Sequence, residues 1–457
     1  MRASPARWGI AHGGAGAIAL SLLAATACST AVPSYRSQSE AWQRSGDADS
    51  IARTSEDADL FEGARSLERQ ALVRLVLERN PTVRAARYAW RAALARYPQV
   101  TALDDPMFGA GVAPRSIGSN DVDDAPKFDL SQKLPFPGKL RLRGEAALGE
   151  AEAASHDYEA VRLRLATMAS LLYDDYYVAA RSLEINREHV ALLEEFQRIA
   201  AARYEAGEAS QQDPIQAEVQ LTHALHREVV LGTALRVTSE QINALLRRSP
   251  SAPLPPAPVR LAVPMDSPGP ADELIETALS EKPELAAAHA REGAEESRVG
   301  LAKREYLPDF TLVGSYNRLW QEEDLQPFVG LQLNVPLQLG RRKAAVDEAE
   351  ARLEVARSQR LALEDEVRLA VQSGVDRLDE AHHVERLFRD RLVPAARDQV
   401  AAARSGFETG RNSFLALIDA ERNLLNVELG YEEALANLGR RRAELDRALG
   451  RVPGLAW

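Results

Sequence analysis

The sequence predicts a mainly α-helical protomer with a small membrane β-barrel, built as a tandem repeat of long helices plus two β-hairpins. Three observations predict it. Landmarks recur at a nearly constant offset, two stretches of helix-forming sequence run for about 70 residues each, and two pairs of short segments alternate with period two.

The duplication organises everything else. Asn80-Pro81 matches Lys282-Pro283 at an offset of 202, and Pro137-Gly138-Lys139 matches Leu339-Gly340-Arg341 at the same offset. Tyr204-Glu205-Ala206-Gly207 matches Phe407-Glu408-Thr409-Gly410 at 203. Each half then follows one order: a helix (66–97, then 272–305), two short strands, a very long helix, a glycine turn and a returning helix. The expected divisions are a signal peptide at 1–27, a lipidated tether at 28–63 and a first repeat at 64–249 with its hairpin at 105–134. A connector at 250–270 follows, then a second repeat at 271–449 with its hairpin at 308–337, and a tail at 450–457. The connector holds eight prolines and cannot be helix interior.

At the N-terminus, Arg2 and Arg7 precede an apolar stretch from Gly13 to Ala25 and small residues up to Ala27, the layout of a secretory signal. Cys28 is the chain's single cysteine, so neither an intrachain disulfide nor a cysteine-based metal site can form. Ala24-Ala25-Thr26-Ala27-Cys28 resembles a bacterial lipoprotein cleavage box, with Ala25 where leucine is usual. Cleavage there would leave Cys28 as the lipid-bearing first residue; an ordinary signal with an incidental cysteine is the other reading. Residues 29–63 are polar and aperiodic, which suits a tether that wraps or floats.

No later stretch approaches the roughly 20 apolar residues of a spanning helix, so a membrane crossing would have to be a β-barrel. In the second half, Val329, Leu331, Leu333, Val335 and Leu337 alternate with mostly polar neighbours, and Phe310 to Trp320 alternates less strictly. The first half offers Met107 to Ala113 and Lys127 to Leu134. Such alternation fits transmembrane strands and equally an ordinary half-buried hairpin. Four strands cannot close a barrel and would leave bare edges in lipid. A membrane role therefore requires several copies to share one barrel.

After each hairpin, Gly138 to Gly207 contains no proline and Gly340 to Gly410 only Pro394. At about 1.5 Å per residue these stretches reach on the order of 100 Å, a rod or a tube wall. Gly207 and Gly410 mark the reversals, where glycine tolerates positive φ. Lys139, Arg141 and Arg143 begin one long helix, and Arg341, Arg342 and Lys343 the other. Cations there oppose the helix dipole. Phospholipid head groups at the inner rim of a barrel would explain them; plain exposure is the alternative.

The net charge of −11, with no basic half, argues against nucleic acid as a partner. No nucleophile elbow, phosphate-binding loop, His-Glu-x-x-His or cysteine pair is present. Neither an enzyme nor a cofactor is expected, and His223 with His226, like His382-His383, reads as a pair of solvated side chains rather than a metal site.

In order, these landmarks resemble the TolC family of outer-membrane efflux proteins over nearly the whole mature chain. The run from Ser405 to Glu421 is similar to the family's aromatic-x-x-Gly turn followed by a Leu-Asp-Ala helix start, and Tyr204 to Pro214 is its twin. Gln132 to Lys139 resembles the strand-to-helix junction, and Pro135-Phe136-Pro137-Gly138-Lys139 that of the heavy-metal branch, the CzcC and CusC groups. The resemblance implies a lipid-anchored homotrimer in the outer membrane of a Gram-negative bacterium. Three protomers would form a twelve-stranded barrel on an α-helical periplasmic tunnel. Gly207 and Gly410 would lie at the periplasmic tip, where a periplasmic adaptor and an inner-membrane pump of RND type dock. The function implied is a passive exit duct, for heavy-metal cations or alternatively for drugs or type I secreted protein.

The resemblance also places Asp419 at the tunnel's gate, with Ala416 where a further aspartate can stand. Asp213 and Gln216 are the first-repeat counterparts. Three copies of Asp419 around one axis would attract cations; a solvated first-turn carboxylate is the plain reading. A periplasmic coiled-coil structural or adaptor protein is the rival class, with rods but no membrane strands.

Overall fold

The structure, a computed structural model, describes residues 32–45, 60, 61, 63–118, 125–264, 268–320, 322–409 and 411–454. The expected signal peptide, Cys28 and Gly410 lie outside them. The chain begins with α1 (Pro33–Arg44), α2 (Arg69–Arg79), α3 (Pro81–Leu94) and α4 (Arg96–Thr101), followed by strands β1 (Met107–Val112) and β2 (Pro126–Leu134). The first rod, α5 (Lys139–Glu205), returns as α6 (Gln212–Leu245). The second repeat runs through α7 (Ala271–Glu281), α8 (Pro283–Arg304), β3 (Phe310–Asn317) and β4 (Pro327–Leu333). Its rod is α9 (Leu339–Leu387), a π turn (Phe388–Leu392) and α10 (Val393–Glu408), returning as α11 (Phe414–Ala448).

The repeat is thus realised as two copies of one unit, and the two hairpins merge into a single antiparallel sheet of order β1-β2-β3-β4. Several boundaries differ from expectation, each for a local reason. The helices drawn at 66–97 and 272–305 break before their prolines. Asn80 and Lys282 sit at ψ 125 and 122, because a residue preceding proline is driven out of the α region. Asn80 then caps α3, its side-chain oxygen accepting from the Thr82 N–H at 2.9 Å. Strand β4 stops at Leu333 rather than Leu337. Asn334 N–H bonds the Asp309 carbonyl at 3.1 Å, and Pro336 has no N–H with which to continue a ladder.

The tether and the connector are more ordered than their composition suggests. The tether contains α1, with Pro33 in its first turn. The Trp42 ring of α1 lies against the Arg87 and Arg91 guanidiniums at 4.6 and 4.8 Å and donates its indole N–H to the Arg87 carbonyl. Tyr35 stacks on Tyr97 at 4.8 Å. The connector is extended, as expected, but pinned to the fold. Leu67 N–H and the Tyr176 hydroxyl donate to the Pro256 and Pro255 carbonyls.

The first rod is unbroken over 67 residues, about 100 Å at the α-helical rise. The second is not. Pro394 lacks the N–H that would close a helical turn, and the chain widens into the π turn just before it. Phe388, at the start of that turn, packs so close to α11 that a Cβ on Gly430 would lie 2.7 Å from its ring.

Three apolar clusters hold the rods together. One joins Leu72, Val76, Trp90, Tyr173, Tyr177 and Leu435, and a second joins Leu274, Leu285, Val371, Leu378 and Leu445. The third lies toward the tip, with Phe196, Ala224, Phe414, Leu417 and Ile418.

Candidate functional site

The sheet register decides which face each strand side chain takes. Paired residues point the same way, and alternation carries the pattern along each strand. Phe108 pairs with Leu130 and Ala110 with Phe128, while Phe128 pairs with Tyr316 and Leu134 with Phe310. Leu312 pairs with Leu331 and Phe310 with Leu333. One face is therefore apolar across all four strands except at Gln132, which pairs with Leu312. The other is mostly polar, with Lys127, Asp129, Ser131, Lys133, Thr311, Ser315, Asn317 and Gln332, but it also holds Met107, Val313 and Phe328.

Among the described residues nothing covers the apolar face: Phe108 is 70% exposed, Val329 78% and Leu331 61%. A half-buried hairpin would have this face against protein, so that reading fails. The β1 and β4 strands are the open edges of the sheet.

At the junction of sheet and rods, Lys139 contradicts the rim reading. It is 1% exposed. Its ammonium donates to Asp309 Oδ1 at 2.8 Å, Glu305 Oε2 at 3.3 Å and the Leu307 carbonyl at 3.1 Å. Asp309 also accepts the Phe136 N–H at 3.0 Å. Burial pushes the Asp309 carboxyl up, but the Lys139 and Phe136 hydrogen bonds outweigh it and hold the pKa below the ordinary value. Gly138 adopts φ +91, and a side chain there would collide with Arg304, which donates to the Pro137 carbonyl at 2.7 Å. The Pro-Phe-Pro-Gly-Lys run is thus a weld between the repeats.

The other five basic residues divide. Arg141 is exposed and paired with Glu145, and Arg143 lies 4.0 Å from Glu305. Arg342 donates to the Glu305 carbonyl at 2.6 Å. Arg341 and Lys343 are exposed. Only Arg141, Arg341 and Lys343 keep the exposure that a membrane rim requires.

At the tip, Gly207 sits at φ +72. Its own N–H bonds the Tyr204 carbonyl and the Glu208 N–H bonds the Arg203 carbonyl, a Schellman closure. Asp213 falls in the first turn of α6 and receives the Ser210 hydroxyl at 3.3 Å; Gln216 is half-buried one turn on. Ser413 caps α11 by accepting the Ala416 N–H at 3.3 Å. Ala416, Asp419 and Arg422 share the exposed stripe of that helix, and Arg422 lies 3.2 Å from Asp419. The structure brings the second-repeat residues together on one face, but with a cation beside the carboxylate. Sequence reasoning also missed a contact between the two tips, where the Arg203 guanidinium lies 4.7 Å over the Phe407 ring, itself packed on Phe414.

A family model described as outer membrane efflux protein matches residues 72–246 and 274–451, the two repeats in turn. The chain belongs to the outer membrane efflux protein family. Proteins of this family are passive, non-enzymatic channels of the Gram-negative outer membrane, acting as trimers with adaptor and pump partners in tripartite efflux.

The chain is 23% identical over 322 residues to the cobalt-zinc-cadmium resistance protein CzcC of Cupriavidus metallidurans, covering 70% of this chain and 75% of that one. It is 25% identical over 404 residues to the pyoverdine export outer membrane protein OpmQ of Pseudomonas putida, covering 85% and 81%. Among solved structures, the outer membrane protein VceC of Vibrio cholerae superposes with a TM-score of 0.71 at 19% identity, over 84% of this chain and 96% of that one.

Proposed function

We propose that three copies of this chain form one outer-membrane exit duct, its barrel twelve-stranded and its rods the wall of a periplasmic tunnel. The observation that carries this reading is the sheet, largely apolar and uncovered on one face, mostly polar on the other, and open at both edges. In lipid such a sheet must close, and pairing β4 of one copy with β1 of the next does so. The rods agree. Ile215, Val219, Val230 and Val237 form an exposed apolar stripe along α6, a seam of helical periodicity awaiting a neighbour. The tip then receives the adaptor and, through it, an inner-membrane pump of RND type.

Purified protein added to planar bilayers should insert as three copies and conduct ohmically; a monomer without conductance would defeat the proposal. In those pores Asp419 lines the gate together with Arg422. Asp419→Ala should lower cation selectivity, because it leaves one unpaired Arg422 per copy facing the lumen. Unchanged selectivity and cation block would remove Asp419 from the gate.

Heavy-metal cations are the proposed cargo, supported by the likeness to CzcC and by the Pro-Phe-Pro-Gly-Lys junction. Expressed with its own pump and adaptor in a host lacking outer-membrane efflux channels, the chain should restore zinc, cobalt or cadmium tolerance. Restored tolerance to drugs alone would reassign the cargo.

Lipidation of Cys28 is supported by where α1 docks. Tyr35 stacks on Tyr97, and Gly144, near the start of α5, lies against Tyr97 and Thr101. The five residues from Cys28 to Pro33 reach at most about 17 Å, which keeps a lipid at the sheet end of the rods. Cys28→Ser should abolish labelling by radioactive palmitate while trimers persist, since α1 keeps its own contacts. Label retained in the variant would place the lipid elsewhere.

A further inference from the structure

We propose that the packing of the two helical hairpins against each other is controlled by one proton, carried by Glu421 of α11 where it faces His189 of α5. His189 is 8% exposed and Glu421 4%, deep in the seam where the first-repeat rod meets the second-repeat return helix. His189 Nδ1 lies 4.0 Å from Glu421 Oε2, and Nε2 lies 3.5 Å from Glu428 Oε2. Glu428 is further held by Arg397 of α10 at 3.0 Å. Glu421 Oε2 is buried and accepts no hydrogen bond. It borders a cleft of about 470 Å³ whose other charged or titratable walls are His223, His226 and Arg227 of α6 and Arg422 of α11. Arg404 of α10 also acts on it electrostatically.

The chemistry of an imidazole between two carboxylates supplies the switch. A neutral ring has one donor nitrogen and one acceptor nitrogen, so it can serve only one carboxylate. The other carboxylate then faces a lone pair, and a buried acceptor without a donor is costly. A proton on Glu421 removes the conflict, because its hydroxyl then donates to Nδ1.

Burial raises the Glu421 carboxyl pKa and Glu428 adds to that, against the lowering by His189 and Arg404. Glu428 moves the other way, lowered first by its hydrogen bond to His189 and then by Arg397. The group that takes the proton is therefore Glu421. A carboxyl raised in the packed state stabilises that state fully below its ordinary value, and the contribution is lost as pH rises through the raised value. Acid tightens the seam and alkali loosens it. Arg397 lies three residues beyond Pro394, just past the π turn. Slack at the latch is thereby transmitted to the segment beyond that break. These contacts lie within one chain and depend on neither cargo nor adaptor.

Amide hydrogen exchange on the full chain in lipid nanodiscs tests this, with rates corrected for intrinsic pH dependence. Residues 414–430 should exchange more slowly at pH 5.5 than at 7.5, by about twofold or more. Residues 367–378 of α9, in the second apolar cluster, should not respond. Glu421→Gln, permanently neutral, should show the slow rate at both pH values. A wild-type seam without a pH response, a response shared by 367–378, or a Glu421→Gln variant that keeps the wild-type response would each overturn the proposal. The wild-type arm decides even if the variant does not fold.

Discussion

Replacing Arg69 by methionine is expected to destabilise the folded chain by about 3–5 kcal/mol, the usual penalty for orphaning a buried charge. Arg69 of α2 is 7% exposed and its partner Asp174 of α5 is fully buried. The guanidinium meets both carboxylate oxygens, at 2.9 and 2.5 Å, and lies 4.6 Å over the Tyr173 ring. No room remains for water to take its place on the α11 side, where a Cβ on Gly439 would stand 2.9 Å from the Asp174 oxygens. Burial already raises the Asp174 carboxyl, and the opposing pull of Arg69 does not fully offset it. Loss of Arg69 therefore raises it further.

The pH dependence follows from that direction. A raised carboxyl costs stability as pH climbs through its folded value and costs nothing once the group is protonated in both states. The deficit of Arg69→Met should be largest at pH 7.5 and shrink on acidification. Thermal unfolding of the detergent-purified protein at pH 7.5 and 5 reads both effects. Arg69→Met with Asp174→Leu should recover most of the loss, because the pair is then replaced rather than broken. A deficit that is small, or equal at both pH values, would mean that water reaches Asp174.

This pair lay beyond sequence reading because its partners are 105 residues apart. The same holds for Lys139. It carries the same charge near a rod's start as Arg341, its counterpart at the repeat offset, yet one is buried and the other exposed. The difference is Asp309, 170 residues away, and no local pattern contains it. What was legible is what local physics dictates. Gly207 reverses the chain at positive φ, long proline-free runs became rods, and the alternation of Val329, Leu331 and Leu333 placed them on one face as anticipated. Endings were less legible. Pro336 and Pro394 were visible, but whether proline stops a strand or opens a π turn depends on neighbours such as Asp309 and Gly430. Asp419 stood out as a carboxylate, while Arg422 beside it, three residues on, passed unnoticed although it halves the argument for an acidic ring.

Two substitutions at adjacent positions separate a membrane barrel from an exposed soluble hairpin. Leu331 and Gln332 neighbour each other on β4, and the register sends them to opposite faces, Leu331 beside Leu312 and Gln332 beside Thr311. If the apolar face meets lipid, Leu331→Arg costs about 2–4 kcal/mol per copy near the bilayer midplane. A barrel of three copies pays it three times, roughly 6–12 kcal/mol in all, enough to empty the assembled state. Heat-modifiable trimers should vanish from the outer-membrane fraction. Gln332→Arg places the same charge on the polar face and should leave trimers near the wild-type level, altering conductance only. A periplasmic coiled coil predicts the reverse for the first variant: Leu331 is 61% exposed in a single chain, and arginine in water there is harmless. Equal loss for both variants would mean that the β4 register is wrong; trimers at full level in Leu331→Arg would mean that this face never meets lipid.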